Sequence, residues 1–206
     1  MRHFSKSKLM AFRQCPKRLW LEVHRPELRE DSKGSQARFK AGHQVGDIAR
    51  TLYDPDGGGD VIDVKAEGYD GAFAHTAELL KNSTQPIFEA GFKAAGALAF
   101  ADVMLPEFEN EQPAWKMVEV KSTTSVKDYH RDDIAVQAIA AQASVVKLKS
   151  VAMAHIDCAS IYTGTKTTGA YSPRAISQQK PLPARMRSRA GLPMSRELQI
   201  SLRNRK

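Results

Sequence analysis

The sequence predicts an α/β fold in which a central mixed β-sheet is flanked by helices. Three apolar runs of strand length, 86–92, 97–105 and 114–121, follow one another with short polar breaks between them. An alanine-rich helical segment, 132–144, then separates the third run from a fourth at 149–156. Short connections favour antiparallel pairing, whereas a helix between two strands permits a parallel crossover. Both kinds of connection in one chain predict a mixed sheet.

The segments before the sheet read as helices. Residues 5–23 suit one or two short helices, and Pro16 is expected to begin the second, because proline is tolerated in a first helical turn. Residues 35–53 form a longer predicted helix, and a short strand at 61–64 and a helix at 71–81 follow. In the 35–53 helix the apolar residues recur at helical spacing, at Ala41, Val45, Ile48 and Leu52. His43 lies roughly opposite this stripe, with Gly42 and Gly46 on its own side.

Composition limits the class of protein. The chain has 206 residues, of which 42% are hydrophobic, enough for one domain with a sizeable core. No apolar run is long enough for a transmembrane helix, and the basic N-terminus lacks the apolar segment of a signal peptide. We therefore expect a cytoplasmic protein with no membrane partner. Its two cysteines, Cys15 and Cys158, predict no structural disulfide and cannot complete a zinc or iron–sulfur site alone.

Charge is distributed unevenly along the chain. Residues 1–40 contain 11 Lys and Arg against 4 Asp and Glu, and residues 41–164 contain 10 against 18. Residues 165–206 contain 10 against 1. A basic segment beside an acidic body suits a substrate with a phosphate backbone. The alternative is that the N-terminal charges form a solvated helical face.

These patterns divide the chain into three parts. Residues 1–34 are a basic helical segment, residues 35–162 are the α/β core, and residues 163–206 are a basic tail. The tail is rich in proline, serine and arginine and has no sustained periodicity, so we expect it to be disordered. Two readings stay open, a native nucleic-acid-binding tail and a non-native end produced by a frameshift.

A carboxylate and an ammonium group lie together at the end of the third predicted strand. Because side chains alternate along a strand, Glu119 and Lys121 share one face. Asp102 lies in the preceding strand. Two carboxylates on neighbouring strands can hold a hard divalent cation, and a lysine beside them can orient or deprotonate water. The pattern therefore points to metal-assisted phosphodiester cleavage, and the alternative is a simple ion pair.

The ordered set of motifs resembles the PD-(D/E)XK nuclease superfamily, and more closely its RecB-like branch, which includes CRISPR-adaptation exonucleases. The resemblance covers about residues 5–160 and implies a restriction-endonuclease-like core. The motifs that carry it are Ser7-Lys8-Leu9-x-x-Phe12-x-x-Cys15-Pro16-x-x-Leu19-Trp20, Gly42-His43-x-x-Gly46, Asp102, Glu119-Val120-Lys121 and Asp133-Ile134-Ala135-Val136-Gln137.

The resemblance implies a set of metal ligands. His43, Asp102 and Glu119 would bind the metal through their side chains, and Val120 through its backbone carbonyl. An imidazole is softer than a carboxylate, so manganese is expected alongside magnesium. Glu89, in the strand beside Asp102, is a further candidate ligand, with a solvent-facing residue as the alternative.

The resemblance also implies residues that act without binding the metal. Lys121 would position or activate the attacking water and stabilise developing charge. Gln137 would lie at the edge of the site and orient Lys121 or contact DNA. Many members carry a tyrosine four residues after this glutamine, but this chain has Ala141, which leaves a DNA contact by that helix in question.

Iron–sulfur members of the branch combine a cysteine of the Cys15-Pro16 type with three cysteines near the C-terminus. Residues 159–206 contain no cysteine, so no iron–sulfur cluster is expected in this chain.

The sequence thus predicts a Mg²⁺- or Mn²⁺-dependent deoxyribonuclease whose partner is DNA of undetermined strandedness. The alternatives are a non-catalytic nucleic-acid-binding module on the same fold and a truncated remnant of a larger nuclease.

Overall fold

The computed structural model describes residues 3–30, 33–109, 112–144, 146–157 and 176–179. The α-helices in this part of the chain are α1 (Lys6–Gln14), α2 (Pro16–His24), α3 (Lys33–Tyr53), α4 (Val64–Asn82) and α5 (Asp128–Ala143). A 3₁₀ turn, Pro26–Leu28, follows α2. The strands are β1 (Phe4–Ser5), β2 (Asp60–Val61), β3 (Ile87–Ala94), β4 (Ala97–Glu109), β5 (Gln112–Lys121), β6 (Leu148–Ile156) and β7 (Ile176–Gln179).

The strands form one mixed sheet, which confirms the predicted fold class. Its order is β2-β3-β4-β5-β6-β7, and β1 pairs separately with the start of β4. Strands β3, β4 and β5 are the expected antiparallel meander. The crossover through α5 makes β5 and β6 parallel, with Val118 opposite Ala152. The helix between the third and fourth apolar runs therefore had the topological consequence expected of it.

Helices cover both faces of the sheet. Helices α1, α4 and α5 pack on one face, over a core that includes Met104, Met117 and Ile134. Helix α3 lies on the other face, where Tyr53 packs on a smaller cluster around Phe88 and Val118. Leu19 of α2 joins the larger core, and it is 1% exposed.

Three carboxylates lie at one level of three adjacent strands. Phe88 pairs with Val103, and Val103 pairs with Val118. Because both pairings are antiparallel, the residues one step beyond them are neighbours across the sheet. These residues are Glu89, Asp102 and Glu119.

The alternation of side chains breaks at this level. Ile87 and Ala90 both lie in the larger core although they are three residues apart, whereas Phe88 lies in the smaller one. Strict alternation would place Ile87 and Ala90 on opposite faces. The break occurs at Glu89, whose φ of 58° lies in the left-handed region. Non-glycine residues in this region are strained, and such strain concentrates at functional sites.

The turn between β3 and β4 consists of two residues with positive φ. Ala95 has a φ of 52° and Gly96 a φ of 79°, the signs that a type I′ hairpin turn requires. The carbonyl of Gly96 accepts a hydrogen bond of 2.9 Å from the backbone N–H of Phe4. This contact anchors the N-terminal strand beside β4, and α1 begins immediately after it.

Helices α4 and α5 begin four or more residues before their predicted starts. Helix α5 begins at Asp128 rather than near residue 132, and the backbone N–H of Lys127 donates to Nδ1 of His130 over 3.2 Å. Helix α4 begins at Val64, where Asp63 caps it, and Gly68, with a φ of 71°, kinks it. The sequence pattern missed both starts because neither first turn carries an apolar stripe.

The structure describes only a small part of the predicted C-terminal tail. Within the predicted tail, Ile176–Gln179 form β7, which pairs antiparallel with β6. The rest of residues 163–206, and Cys158, lie outside the described residues. In the described part of the chain, no helix is both long and apolar enough to cross a bilayer.

Candidate active site

The predicted site residues lie on both sides of the sheet at the end of β5. Asp102, Val120 and Glu89 face α3, whereas Glu119, Lys121 and Gln137 lie on the side of α1 and α5. The candidate site therefore has residues on both faces of the sheet. The two groups of residues meet where β4 and β5 are adjacent.

A cavity of about 250 Å³ lies between α3 and the sheet. Four predicted metal-site residues line it, namely His43, Glu89, Asp102 and Val120. The rest of its lining is Gly42, Gly46, Asp47, Ala49, Arg50 and Val103. A Cβ built on Gly42 or Gly46 would meet nothing within 4 Å, so these glycines leave the helix side of the cavity open.

Asp102 is a desolvated carboxylate with one oxygen committed to the backbone. Its Oδ2 accepts a hydrogen bond of 2.6 Å from the N–H of Val120. Burial, and then the charge of Glu119, raise the pKa of Asp102 well above its usual range. A carboxylate in this position gains from a nearby cation, because a cation offsets both the lost hydration and the repulsion.

Glu119 belongs to a closed ring of alternating charges. Lys6 Nζ lies 3.1 Å from Glu119 Oε1 and 3.4 Å from Asp133 Oδ1. Lys121 Nζ lies 2.5 Å from the same Glu119 oxygen and also contacts Asp133 Oδ2. Each carboxylate thus touches both ammonium groups. This charge ring, formed by Lys6, Glu119, Lys121 and Asp133, joins strand β5 to helices α1 and α5.

The charge ring fixes Glu119 as an anion. Burial alone would raise its pKa, but Lys6, Lys121 and the amide of Gln137 lower the pKa of Glu119 to about 2. Gln137 Nε2 donates to Glu119 Oε2 over 2.5 Å. Burial also opposes the charged form of Lys121, yet Glu119 and Asp133 outweigh burial and raise its pKa. Lys121 is therefore a firmly protonated ammonium group.

Gln137 is fully buried, and its second polar atom has no protein partner. Among the buried side-chain atoms of the described residues, Gln137 Oε1 has no hydrogen-bond partner. A buried unsatisfied acceptor costs free energy, and such atoms recur at functional sites. The amide donor, in contrast, holds Glu119. Gln137 therefore orients Glu119 directly, rather than Lys121 as the sequence analysis allowed.

Sequence reasoning missed Asp133 as a member of the charge ring, and it missed Lys6. Burial disfavours its charge, but Glu119 and Asp133 raise the pKa of the Lys6 ammonium. The only available signal was the basic character of residues 1–40 and Ser5, whose side chain caps α1 by accepting from the N–H of Lys8. Pairing of β1 with β4 brings Lys6 to the site, and no local sequence pattern predicts this pairing.

Arg50 and Glu89 form a second, looser pair at the cavity. Arg50 Nη2 lies 3.5 Å from Glu89 Oε1, and the two side chains are 40% and 42% exposed. Burial raises the pKa of Glu89, and Arg50 opposes this effect. Exposed pairs of this kind contribute little stability, so the strained Glu89 is not explained by the ion pair alone.

The donor set fits a divalent cation by chemistry, although it is not a preassembled cage. Among the described residues, no three His, Cys, Asp or Glu side chains are grouped closely enough to hold a metal ion. The cavity nevertheless combines carboxylate oxygens with an imidazole, which are ligands for magnesium and manganese. Burial raises the pKa of the lining carboxylates Asp102 and Glu89, so a bound cation would stabilise their ionised forms.

No protein-family model and no curated protein matches this sequence.

Proposed function

We propose that this chain is a nuclease that hydrolyses DNA phosphodiester bonds with a bound Mg²⁺ or Mn²⁺. The observation that carries the proposal is the meeting of a carboxylate-lined cavity with a Lys-Glu-Gln cluster at one end of β5. The sequence placed these residues in five separate segments. Their convergence on adjacent strands, and on helices α3 and α5 that pack on opposite faces of the sheet, supports a common role.

The residues that would hold the metal are those that line the cavity, namely His43, Asp102, Glu89 and Val120 through its carbonyl. Glu119, the remaining expected ligand, lies on the α5 side of the sheet and would have to exchange a present partner to bind the same ion. The bound ion would supply a water of lowered pKa and neutralise charge on the scissile phosphate. The pairing of Asp102 with the Val120 N–H orients that carboxylate before any ion arrives. Such preorganisation reduces the cost of assembling a site.

Lys121 would act as a cation and hydrogen-bond donor. Its raised pKa keeps the ammonium charged at neutral pH, so it would stabilise negative charge on the phosphate and orient water rather than remove a proton. Asp133 and Glu119 fix the ammonium from two sides. Gln137 holds Glu119 in turn, so α5 positions both members of the Glu-x-Lys motif.

One observation favours a second candidate, a nucleic-acid-binding module without catalysis. Glu119 already receives hydrogen bonds from Lys6, Lys121 and Gln137. A carboxylate with these partners must exchange some of them to bind a metal ion. In a binding module the charge ring would instead be a purely structural element of the fold.

A cleavage assay separates the two candidates. Labelled linear and circular DNA, single- and double-stranded, is incubated with Mg²⁺, Mn²⁺ or EDTA. The nuclease proposal predicts cleavage with metal that disappears in Lys121→Ala and in Asp102→Asn. Lys149→Ala is the matched control, because Lys149 lies on β6 and contacts Glu107, away from the site. Full activity in both site variants would reject the nuclease, and salt-dependent binding without cleavage would support the module.

A further inference from the structure

Two exposed aromatic side chains flank the candidate site on helices of opposite faces of the sheet. Phe39 on α3 is 57% exposed and Tyr129 on α5 is 54% exposed. A single exposed aromatic residue needs no explanation, because much of a protein surface is apolar. The position of these two relative to the site residues on their own helices is what distinguishes them.

Tyr129 continues the row of site residues on α5. Residues four apart on a helix share a face. Tyr129, Asp133 and Gln137 are spaced in this way, and the last two contact Lys121 and Glu119. Gln137 is buried and Asp133 half-buried, so the row runs outward from the core to solvent. Tyr129 is its exposed end, with its ring 4.2 Å from that of His130.

Phe39 has the corresponding position on α3. It lies four residues before His43, on the helix face that lines the cavity with Gly42, Gly46 and Arg50. The C-terminal residue of α3, Tyr53, packs on the smaller core. The helix therefore runs outward from that core past the cavity, and Phe39 lies one turn beyond the cavity.

Cations accompany both aromatic residues. Lys40 follows Phe39 and is exposed. Lys127 and Arg131, two residues to either side of Tyr129, are also exposed, against one exposed acidic neighbour, Asp128. Aromatic rings with cations beside them are the elements with which proteins bind single-stranded nucleic acid, because rings stack on bases and cations contact phosphates.

We propose that Phe39 and Tyr129 stack on bases of an unpaired DNA strand that passes the Lys121 end of the sheet. Phe39 would contact the DNA strand on the α3 side of the sheet and Tyr129 on the α5 side, with the candidate site between them. Bases in a duplex are already stacked on one another, so the rings would favour a single strand or a frayed end over intact duplex. The inference rests on the proposed function and names the substrate form and two contact residues.

Binding of full-length protein in EDTA tests the proposal without cleavage. Fluorescence anisotropy measures the Kd for one labelled oligonucleotide, single-stranded or annealed to its complement, at fixed salt. Phe39→Ala and Tyr129→Ala should each weaken single-strand binding roughly 5- to 150-fold, the change that ~1–3 kcal/mol of stacking per base corresponds to. Duplex binding should change little. Tyr129→Phe should retain affinity, because it keeps the ring.

The chain provides closely matched controls. Phe108 is 58% exposed and Tyr69 is 61% exposed, and both lie outside the cavity lining and the charge ring. Phe108→Ala and Tyr69→Ala should leave the single-strand Kd unchanged. Equal losses for single strand and duplex, or equal losses in the controls, would overturn the inference, as would unchanged binding in both site variants. Wild-type protein that cleaves DNA while those variants bind normally would reject the inference alone. Protein that neither binds nor cleaves DNA would reject the proposed function as well.

Discussion

Replacing each of the two neighbouring carboxylates by its amide should change stability in opposite directions. In metal-free protein, Asp102→Asn is expected to stabilise the fold. Burial and the charge of Glu119 disfavour the ionised Asp102, as its raised pKa records. An asparagine keeps an oxygen that can accept from the Val120 N–H, whose present bond is 2.6 Å, and it removes the charge. Stabilising substitutions commonly contribute about 0.5–2 kcal/mol.

Glu119→Gln is expected to destabilise the same protein. The pKa of Glu119 falls from 4.5 to about 2, and this difference corresponds to about 3 kcal/mol of stability above pH 4.5. The amide leaves Lys6 and Lys121 with Asp133 as their shared carboxylate. For a chain of this size, 1 kcal/mol shifts the melting temperature by roughly 2–4 °C. We therefore expect a fall of roughly 6–12 °C for Glu119→Gln and a rise for Asp102→Asn.

Thermal denaturation in EDTA at pH 7, followed by circular dichroism, measures both shifts. The pH dependence provides a second check. Because the pKa of Glu119 is lowered by folding, its contribution is present above pH 4.5 and is lost as the pH falls towards 2. Glu119→Gln should lack this part of the acid loss. For Asp102, whose pKa is raised, stability should fall as the pH rises above 3.8, and Asp102→Asn should remove that fall. Shifts of the same sign in both variants would refute the reasoning.

Four further substitutions test other parts of the structure. Lys6→Ala should lower the cleavage rate about 10- to 100-fold, because it releases Glu119, and should lower the free energy of unfolding by about 1–3 kcal/mol. Lys8→Ala, the control, should change neither quantity. Equal activity of the two variants in a cleavage assay would argue against the charge ring. Gly91→Ala should lower the melting temperature, since its Cβ would lie 2.7 Å from Phe100, at an overpacking cost of about 1–3 kcal/mol. Gly46→Ala should instead increase the free energy of unfolding by up to about 1 kcal/mol, because Gly46 lies in a helix and an added Cβ would meet nothing within 4 Å. Ala95→Asn should stabilise the type I′ turn by about 0.5–1 kcal/mol in denaturant titration, because asparagine tolerates positive φ.

The elements of the fold could be predicted where a local pattern specifies them. Apolar runs of strand length gave β3, β4, β5 and β6, and helical spacing of apolar residues gave α3. The apolar pattern did not predict the start of a helix where that start depends on a capping contact rather than on apolar residues at helical spacing. The start of α5 at Asp128 depends on a contact between Lys127 and His130, and the start of α4 on the side chain of Asp63.

The candidate site divides in the same way. Period-two alternation was enough to place Glu119 and Lys121 on one face, and Lys121 indeed contacts both Glu119 and Asp133. It was not enough for Asp102, because the alternation breaks at that level of the sheet, beside Glu89 with its positive φ. As a result Asp102 lines the cavity under α3 while Glu119 faces α5.

By itself, the sequence determined the four long strands β3 to β6, the long helix and the residues of the Glu-x-Lys motif, because these depend on the periodicity of neighbouring residues. Only the tertiary structure decided which charges surround Glu119. Lys6 and Glu119 are 113 residues apart, and they meet because β1 pairs with β4 and α5 crosses back over the sheet. Pairing between distant strands depends on the packing of the whole core, so no local pattern could place the second ammonium of the charge ring.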